Sequence, residues 1–193
     1  MDDVIARVEL PRRRFTVEEY YRMAEAGILR EDDRVELIEG EIIRMSPIGP
    51  RHALSVSELT RLFTIALRDR AVVWPQNPVR LPRDTEPQPD VVLLRSPSNR
   101  YRRRPPQPQD VLLLVEVADT SSRYDRGVKL PLYARAGIPE VWIVDFTADV
   151  IDVYREPQAS GYATLHRVGR GGHVAPAMFP DIVLSADAIL LEP

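Results

Sequence analysis

The apolar residues of this chain recur at two different periods, which separate its predicted helices from its predicted strands. Between Arg51 and Arg68 they recur every three or four positions, the spacing of an amphipathic helix that packs on a sheet. Short β-type runs, separated by proline-rich turns, occupy 71–74, 79–81, 91–94, 111–117 and 140–145. The run at 111–117 is almost wholly apolar, which is typical of a strand buried on both faces.

Two local motifs predict the structure that precedes the long helix. Thr16 and Glu19 have the spacing of a capping box, which predicts a helix over roughly 17–26 that ends at Gly27. The segment RVELIEGEIIRM, residues 34–45, places Glu39-Gly40 between two β-rich runs and predicts a tight hairpin. Residues 1–14 are expected to form a flexible N-terminal segment.

The remaining pattern predicts one more helix and a terminal pair of strands. Residues 124–136 favour a helix that stops at Gly137, although Pro131 must lie in a first turn or remove a hydrogen bond. Residues 150–155 and 162–168 alternate like an antiparallel pair. Helices interleaved with strands predict an α/β (α+β) fold around one central mixed sheet, with a single domain over 1–193 and a C-terminal β extension over 147–193.

Composition narrows the classes of chemistry that this fold can support. The chain has 193 residues, of which 44% are apolar, and no cysteine, so thiolate metal sites and cysteine nucleophiles are excluded. The formal net charge of -3 gives no global basic field, and a nucleic-acid partner would have to be held locally. No apolar stretch reaches the ~20 residues of a membrane helix, which predicts a cytoplasmic protein without a membrane partner.

Two carboxylates stand at the ends of apolar strands. Glu116 directly follows the run Val111–Val115, and Asp90 directly precedes the run that begins at Val91. If these strands are antiparallel neighbours, the two carboxylates meet at one place and can bind a divalent cation, for which magnesium is the natural candidate. Each acid alone could instead be a solvated strand end or pair with one of the many arginines.

Lys129 strengthens the hypothesis of a catalytic site. It is one of very few lysines in an arginine-rich chain, and it follows Glu116 by 13 residues, on the helix that leaves that strand. A lysine amine is a compact, orientable charge that suits a position beside a metal-bound water. The alternative is a surface ion pair with Asp125 at i,i+4, which contributes only ~0.3 to 0.5 kcal/mol.

These residues carry a resemblance to a known family. The ordered motifs RVELIEGEI, SPIGPRH, PDVVLL, VLLLVEV and RYDRGVKLPLYARAGIPEVWIVD resemble the Uma2 family of bacterial endonucleases, within the PD-(D/E)XK superfamily of restriction-endonuclease-like phosphodiesterases. The superfamily usually places its lysine two residues after the glutamate, where this chain has Ala118, but the family resembled moves it to the following helix, which fits Lys129. The chain departs from the family at residues 118–121, ADTS, where a leucine-serine-proline-serine turn is common.

The resemblance implies a restriction-endonuclease-like core and a role for each acidic residue. Asp90, Glu116 and the backbone carbonyl of Val117 would bind Mg²⁺, for which Mn²⁺ can substitute. Lys129 would orient the attacking water or help to deprotonate it.

Four further side chains are candidates for the same site. Glu36 resembles the additional acidic residue of the family, and Glu39 is a rival that strand spacing does not exclude. His52 matches the histidine of the family's Arg-His pair at a helix start. There it could contact a phosphate or be an ordinary helix-terminal polar residue. Tyr133 could share the face of Lys129, but a tyrosine on such a helix is more often a core residue whose hydroxyl reaches solvent.

An arginine cluster follows the strand begun by Asp90. Its members are Arg95, Arg100, Arg102, Arg103 and Arg104. Arginine clusters hold phosphates, and this one is expected to lie beside the metal and contact DNA. A solvated loop kept open by its own charge is the alternative.

The sequence therefore predicts an Mg²⁺-dependent DNA endonuclease, in which metal-activated water attacks a phosphodiester, with double-stranded DNA as its partner. A homodimer or a higher homo-oligomer is expected from the resemblance, because two strands require two cuts. A first alternative is a catalytically inactive DNA-binding or interaction module, in which Glu116 pairs directly with Lys129. A second is a metal-dependent hydrolase of a small phosphorylated molecule, for which the arginine cluster would be dispensable.

Overall fold

The computed structural model of the chain describes residues 12–30, 32–118 and 122–191. Its strands, in chain order, are β1 (Val35–Ile38), β2 (Glu41–Arg44), β3 (Ala71–Pro75), β4 (Val91–Arg95), β5 (Val111–Ala118), β6 (Glu140–Asp145), β7 (Val150–Gln158), β8 (Gly161–Gly169), β9 (His173–Val174) and β10 (Leu184–Ser185). Its α-helices are α1 (Val17–Glu25), α2 (Pro50–Leu67), α3 (Ser122–Tyr124), α4 (Leu130–Arg135) and α5 (Ala186–Leu190), and a π-helical segment (Asp125–Lys129) joins α3 to α4.

A six-stranded sheet in the order β3-β4-β5-β6-β7-β8 organises these elements. The β5–β6 pair is parallel, and the other neighbouring pairs are antiparallel. The prediction of a central mixed sheet flanked by helices is therefore confirmed. The expected C-terminal β extension forms β7 and β8 of this same sheet, whereas the short β9, β10 and α5 were not predicted.

Both faces of the sheet are buried at its centre, which explains the continuous apolar run of β5. All eight of its residues are buried, and from Leu113 onwards its apolar residues alternate between two cores. Leu113 and Val115 belong to the core beneath α2 and α5. Leu114 and Ala118 belong to the opposite core, which contains Tyr133 of α4. Glu116 has the same parity as Leu114 and Ala118, so it points to the face that α4 covers.

The helix α2 is the amphipathic helix predicted from the three-and-four spacing. Leu59, Phe63 and Leu67 are fully buried against the sheet, while Ile65 is exposed. The ring of Phe63 contacts that of Trp142 on β6, with 5.9 Å between ring centroids. The predicted bounds differ from the observed ones by one residue at each end.

The hairpin and the capping box also form as predicted. Glu39 and Gly40 both have positive φ, 47° and 79°, as a tight turn between β1 and β2 requires. The Thr16 hydroxyl accepts a hydrogen bond from the Glu19 amide, and the Glu19 carboxylate accepts one from the Thr16 amide. The hairpin is joined to a later loop by a bridge between Leu37 and Glu86.

The strand predicted at 79–81 is wrong. Leu81 makes an isolated bridge with Thr85, and the Val79 amide donates to the Pro87 carbonyl, but the segment joins no sheet. Its apolar side chains, Val79 and Leu81, are buried in the same core as Tyr133. Burial of a loop and burial of a strand give the same apolar pattern, so this short run misled the prediction.

The helix predicted over 124–136 is interrupted. Pro131 lies in the first turn of α4, where its missing amide is tolerated, and the preceding residues Asp125–Lys129 widen into a π-helical turn. No helix in the described residues is long and apolar enough to cross a membrane. Most of the expected flexible segment, and residues 119–121 of the stretch that departs from the family pattern, lie outside the described residues.

We expect Phe63→Ala to lower the free energy of unfolding by about 3–5 kcal/mol, because it leaves a cavity against Trp142 in the core. Ile65→Ala, on the exposed face of the same helix, should change it by no more than about 0.5 kcal/mol. Urea unfolding followed by circular dichroism measures both. Equal effects of the two substitutions would contradict the assignment of the buried face.

Candidate functional site

The strand ends that carry Asp90 and Glu116 are side by side. β4 and β5 are antiparallel neighbours with Val91 opposite Val115, so the next step of the register places Asp90 opposite Glu116. Residues directly opposite in such a pair have Cβ atoms about 4.5–5.5 Å apart and point to the same face. The two carboxylates therefore meet on the face of the sheet that α4 covers.

Glu116 is buried, with 3% of its surface exposed, and it has two partners. Its Oε1 accepts a hydrogen bond of 2.6 Å from the Tyr133 hydroxyl and lies 3.3 Å from the Lys129 amine. The expectation that the Tyr133 hydroxyl reaches solvent is wrong, because the ring lies in the core and the hydroxyl has Glu116 as an internal acceptor.

Lys129 is the only lysine in the chain, and it lies between two carboxylates. Its Nζ is 3.3 Å from Glu116 Oε1 and 3.4 Å from Glu36 Oε2, and the side chain is 5% exposed. The π-helical segment ends at this residue, so α4 and the segment before it present the amine to the sheet face. The structure brings together Glu36, Glu116 and Lys129, which the sequence placed far apart.

The structure distinguishes Glu36 from Glu39, which the spacing of residues along the strand could not do. Glu36 is 1% exposed and accepts hydrogen bonds from the Tyr124 hydroxyl at 2.8 Å and from the Gln88 amide at 3.2 Å. Glu39 lies at the hairpin turn and pairs with Arg135, with 3.0 Å between Arg135 Nη2 and Glu39 Oε1. Glu36 belongs to the cluster around Lys129, and Glu39 lies outside it.

Asp90 is held by a side chain and by the backbone. Its Oδ1 lies 3.0 Å from His52 Nε2, and its Oδ2 accepts a 2.8 Å hydrogen bond from the Val117 amide. The amide and carbonyl of one strand residue point to the same side, so the Val117 carbonyl also faces Asp90. His52 lies near the start of α2 and reaches this carboxylate rather than open solvent.

Burial and neighbouring charge raise the pKa of two members of the cluster, Glu116 and Lys129. Burial raises the pKa of the Glu116 carboxyl well above its usual range, and the charges of Asp125 and Asp90 raise it further against the opposing effect of Lys129. Burial alone would lower the pKa of the Lys129 amine, but the surrounding carboxylates, with Glu116 and Glu36 the largest contributors, raise it above its ordinary value. The Glu116 pKa is therefore raised chiefly by burial, and the Lys129 pKa by the negative charge around the amine.

The donor set suits a hard divalent cation. Asp90, Glu116 and the Val117 carbonyl offer oxygen atoms, which Mg²⁺ prefers, and an added cation would offset the excess negative charge. Among the described residues, no three acidic or histidine side chains are already arranged to hold a metal ion. Two carboxylates, a backbone carbonyl and solvent would therefore have to complete the coordination.

A pocket of about 540 Å³ opens over this cluster. Its floor contains Glu36, Asp90, Glu116 and Lys129. Residues 43–49, which run from β2 to the start of α2, form part of its wall. Three arginines, Arg34, Arg44 and Arg123, also line it.

The prediction that the arginine cluster lies beside Asp90 is wrong. Arg95 ends β4 and Asp90 precedes it, so the two are separated by the length of the strand, about 16 Å. Arg104 is bound to Asp110, and Arg95 donates to the Gln109 carbonyl. The other members are exposed, and the pocket lining includes none of the five, which are Arg95, Arg100, Arg102, Arg103 and Arg104.

Two further residues touch the cluster, of which the sequence analysis missed Tyr124 and considered Asp125 only as a surface partner of Lys129. Tyr124 binds Glu36 through its hydroxyl, and its ring lies 5.6 Å from Lys129 Nζ. Asp125 is buried, as Lys129 is, and contributes negative charge to Glu116 and Lys129. Both precede Lys129 by about a helical turn, the spacing that pointed to Asp125 and could have identified Tyr124.

Comparisons with known proteins agree with this architecture. The model of the Uma2 family, described as a putative restriction endonuclease, matches residues 17–187. The fold is similar to that of a putative nuclease of the DUF820 family from Anabaena variabilis ATCC 29413, with a TM-score of 0.69 and 16% sequence identity over 91% of this chain and 97% of that chain. No curated protein matches the chain.

The single lysine allows a direct test of the charge at the site. Protein labelled with isotope only in lysine should give one side-chain amine signal by NMR, from Lys129. In metal-free protein we expect the amine to stay protonated above its ordinary pKa of 10.5, because carboxylates surround it. Glu116→Gln should lower that pKa. Titration at or below the ordinary value would contradict the observed ion pairs.

We expect Lys129→Met to lower the free energy of unfolding at pH 7 by about 3–5 kcal/mol, because it leaves two buried carboxylates without their cation. The Glu116 pKa is raised in the folded state, so protonation favours folding, and the deficit should shrink as pH falls from 7 towards 5. Urea unfolding at the two pH values measures this change.

Arg135→Met is the matched control for that substitution. It removes a cation from the same helical region, but the Arg135–Glu39 pair is largely exposed, so the cost should be about 0–1 kcal/mol. A similar cost for both substitutions, independent of pH, would show that Lys129 does not compensate buried charge.

Proposed function

The chain belongs to the Uma2 family, and from that premise we propose that it is an Mg²⁺-dependent DNA endonuclease. The proposed catalytic centre consists of Asp90, Glu116 and Lys129, with Glu36 as a further acidic residue. The observation that carries the proposal is the buried excess of carboxylates at the bottom of a pocket, around the only lysine of the chain. Such an arrangement is costly for stability alone, and clusters of this kind are typical of functional sites.

In the proposal, Asp90, Glu116 and the Val117 carbonyl hold Mg²⁺, and Mn²⁺ can replace it. The bound ion would polarise a phosphoryl oxygen and lower the pKa of a coordinated water. Asp90 is prepared for this role because the Val117 amide and His52 fix the direction of its carboxylate. Tyr133 does the same for Glu116 through its hydroxyl.

Lys129 acts as a donor in this scheme. The amine is protonated and lies between two carboxylates, so it can donate hydrogen bonds to a water or to a phosphate oxygen beside Glu116. The raised Lys129 pKa favours orientation of the water over its deprotonation. Glu36 positions the amine from the opposite side, and Tyr124 and the Gln88 amide position Glu36.

The ion pair between Glu116 and Lys129 also supports a second candidate function. An inactive nuclease-fold module that binds DNA or another partner would be stabilised by direct pairing of Glu116 with Lys129, and this pairing is present at 3.3 Å. In such a protein the cluster is a permanent structural element and Mg²⁺ does not displace the lysine. Metal binding and cleavage separate the two functions.

The proposal includes double-stranded DNA as substrate and a homodimer as the active form. One chain offers one such pocket, and cutting both strands of a duplex requires two centres or two successive events. Sedimentation of the purified protein with and without a DNA duplex measures the oligomeric state.

We expect the protein to nick supercoiled plasmid in Mg²⁺ or Mn²⁺, and we expect Asp90→Asn and Lys129→Ala each to reduce the rate by about 100-fold or more. Asp181→Asn is the matched control, because it removes an exposed carboxylate that pairs with Arg70 far from the pocket lining, and it should cut at the normal rate. Gel quantification of nicked and linear plasmid provides the rates.

Calorimetric titration with Mg²⁺ completes the experiment. Under the proposal the unaltered protein binds the ion and Asp90→Asn weakens binding. If the unaltered protein neither binds Mg²⁺ nor cuts, the inactive module is the better description. If the variants cut as fast as the unaltered protein, the activity comes from a contaminant and the assigned centre is incorrect.

A further inference from the structure

Arg34 and Arg123, like Arg44, line the pocket and lack a carboxylate partner in the described part of the chain. Arg34 precedes β1 and is half-buried, and Arg123 lies in α3 and is exposed. Both line the pocket above the acidic cluster, together with Arg44. Neither of the two forms an ion pair within residues 12–30, 32–118 and 122–191.

These arginines are not the partners of the acids below them. Glu36 and Glu116 share Lys129 and each accept a tyrosine hydroxyl, and Asp90 has His52 and a backbone amide. The rim arginines thus remain available to an external anion.

The two side chains line one pocket from different elements. Arg34 is two residues before Glu36, so strand alternation places both on one face, and the Met45 amide donates to the Arg34 carbonyl beside the β1–β2 pair. Arg123 directly precedes Tyr124, whose hydroxyl donates to Glu36. Each arginine is therefore close in sequence to a residue of the Glu36 hydrogen-bond network.

We infer that Arg34 and Arg123 bind backbone phosphates of a nucleic-acid strand that crosses the mouth of the pocket, next to the phosphodiester presented to Asp90 and Glu116. This inference rests on the proposed function and assigns its substrate contacts. Guanidinium groups match phosphate oxygens in a bidentate geometry. No member of the predicted arginine cluster at 95–104 lines this pocket.

The charges of the site agree with the assignment. A polyanion that approaches the pocket meets the acidic side chains Glu36, Asp90 and Glu116 around a single lysine, and their negative charge repels phosphate. Cations at the rim offset the repulsion and focus the strand over the opening. An acidic floor that suits a metal ion and a basic rim that suits phosphates are then two parts of one site.

The test measures binding without divalent metal, so that cleavage does not occur. Fluorescence anisotropy with labelled single-stranded and double-stranded oligonucleotides compares the unaltered protein with the double variant Arg34→Gln/Arg123→Gln. Loss of two phosphate contacts should weaken binding about 10-fold per contact near 0.1 M salt, and it should reduce the slope of log affinity against log salt by about 0.7–0.9 per contact.

Arg22→Gln/Arg68→Gln is the matched control, because it removes two exposed arginines that do not line the pocket. Arg68 follows the C-terminal end of the 18-residue helix α2, about 27 Å from the end that borders the pocket. At that distance its charge is screened at 0.1 M salt, and affinity should change by no more than about twofold.

Three outcomes overturn the inference. The first is equal loss in the rim and control variants, which would indicate a net-charge effect. The second is loss in Arg100→Gln/Arg102→Gln/Arg103→Gln with none in the rim variant, which would assign the contacts to the distant loop. The third is competition by inorganic phosphate or a mononucleotide as strong as by the oligonucleotide, which would indicate a small phosphorylated ligand.

The plasmid assay distinguishes failure of this inference from failure of the proposed function. If the unaltered protein nicks plasmid and the rim variant binds and nicks at the same level, the nuclease assignment stands and the rim assignment is wrong. If the unaltered protein binds no oligonucleotide and cuts no plasmid, both are wrong. Loss of binding confined to the rim variant, with its thermal unfolding unchanged, supports the inference.

Discussion

The site depends on the contacts of one lysine amine, that of Lys129, which lies between the buried carboxylates of Glu36 and Glu116. Lys129 Nζ is within 3.5 Å of both Glu36 and Glu116, and each partner comes from a different layer of the fold. Glu116 lies near the C-terminal end of the central strand β5, Glu36 belongs to the β1–β2 hairpin, and the amine comes from the helical segment packed above them. A buried charge without its partner costs several kcal/mol, so these three elements depend on one another's positions.

A second charged network holds the segment that delivers the lysine. Arg126 lies in the π-helical turn and donates to Asp145 at 2.6 Å and to Asp152 at 2.7 Å, which joins the turn to β6 and β7. Arg167 on β8 binds the other side of Asp152. Together with Pro131 at the start of α4, these contacts hold the widened turn in position. An ordinary α-helix at this place would direct the Lys129 amine elsewhere.

The sequence predicted the features that a local pattern encodes. Strand alternation and apolar runs identified the strand ends at Asp90 and Glu116, and helical spacing identified α2 to within a residue. Contacts between distant segments have no such pattern. Spacing could not choose between Glu36 and Glu39, because that choice depends on how the hairpin packs against α4, and it could not reveal that the Tyr133 hydroxyl ends at Glu116. The arginine loop was misplaced because proximity in sequence to Asp90 was taken for proximity in space, although an extended strand separates the two.

The ion pair between Lys129 and Glu116 is compatible with two functions of the site, which differ in the net charge that they require. With Lys129 paired to Glu116, the cluster still has an excess of carboxylates, and the pKa of Glu116 stays high. A divalent ion at Asp90 and Glu116 would supply the missing positive charge and weaken the hold of Glu116 on the amine, which could then turn towards a phosphate. An inactive module would have no reason to keep the excess, since an apolar replacement of the pair is often more stable. The unbalanced charge is therefore the feature that a purely structural salt bridge leaves unexplained.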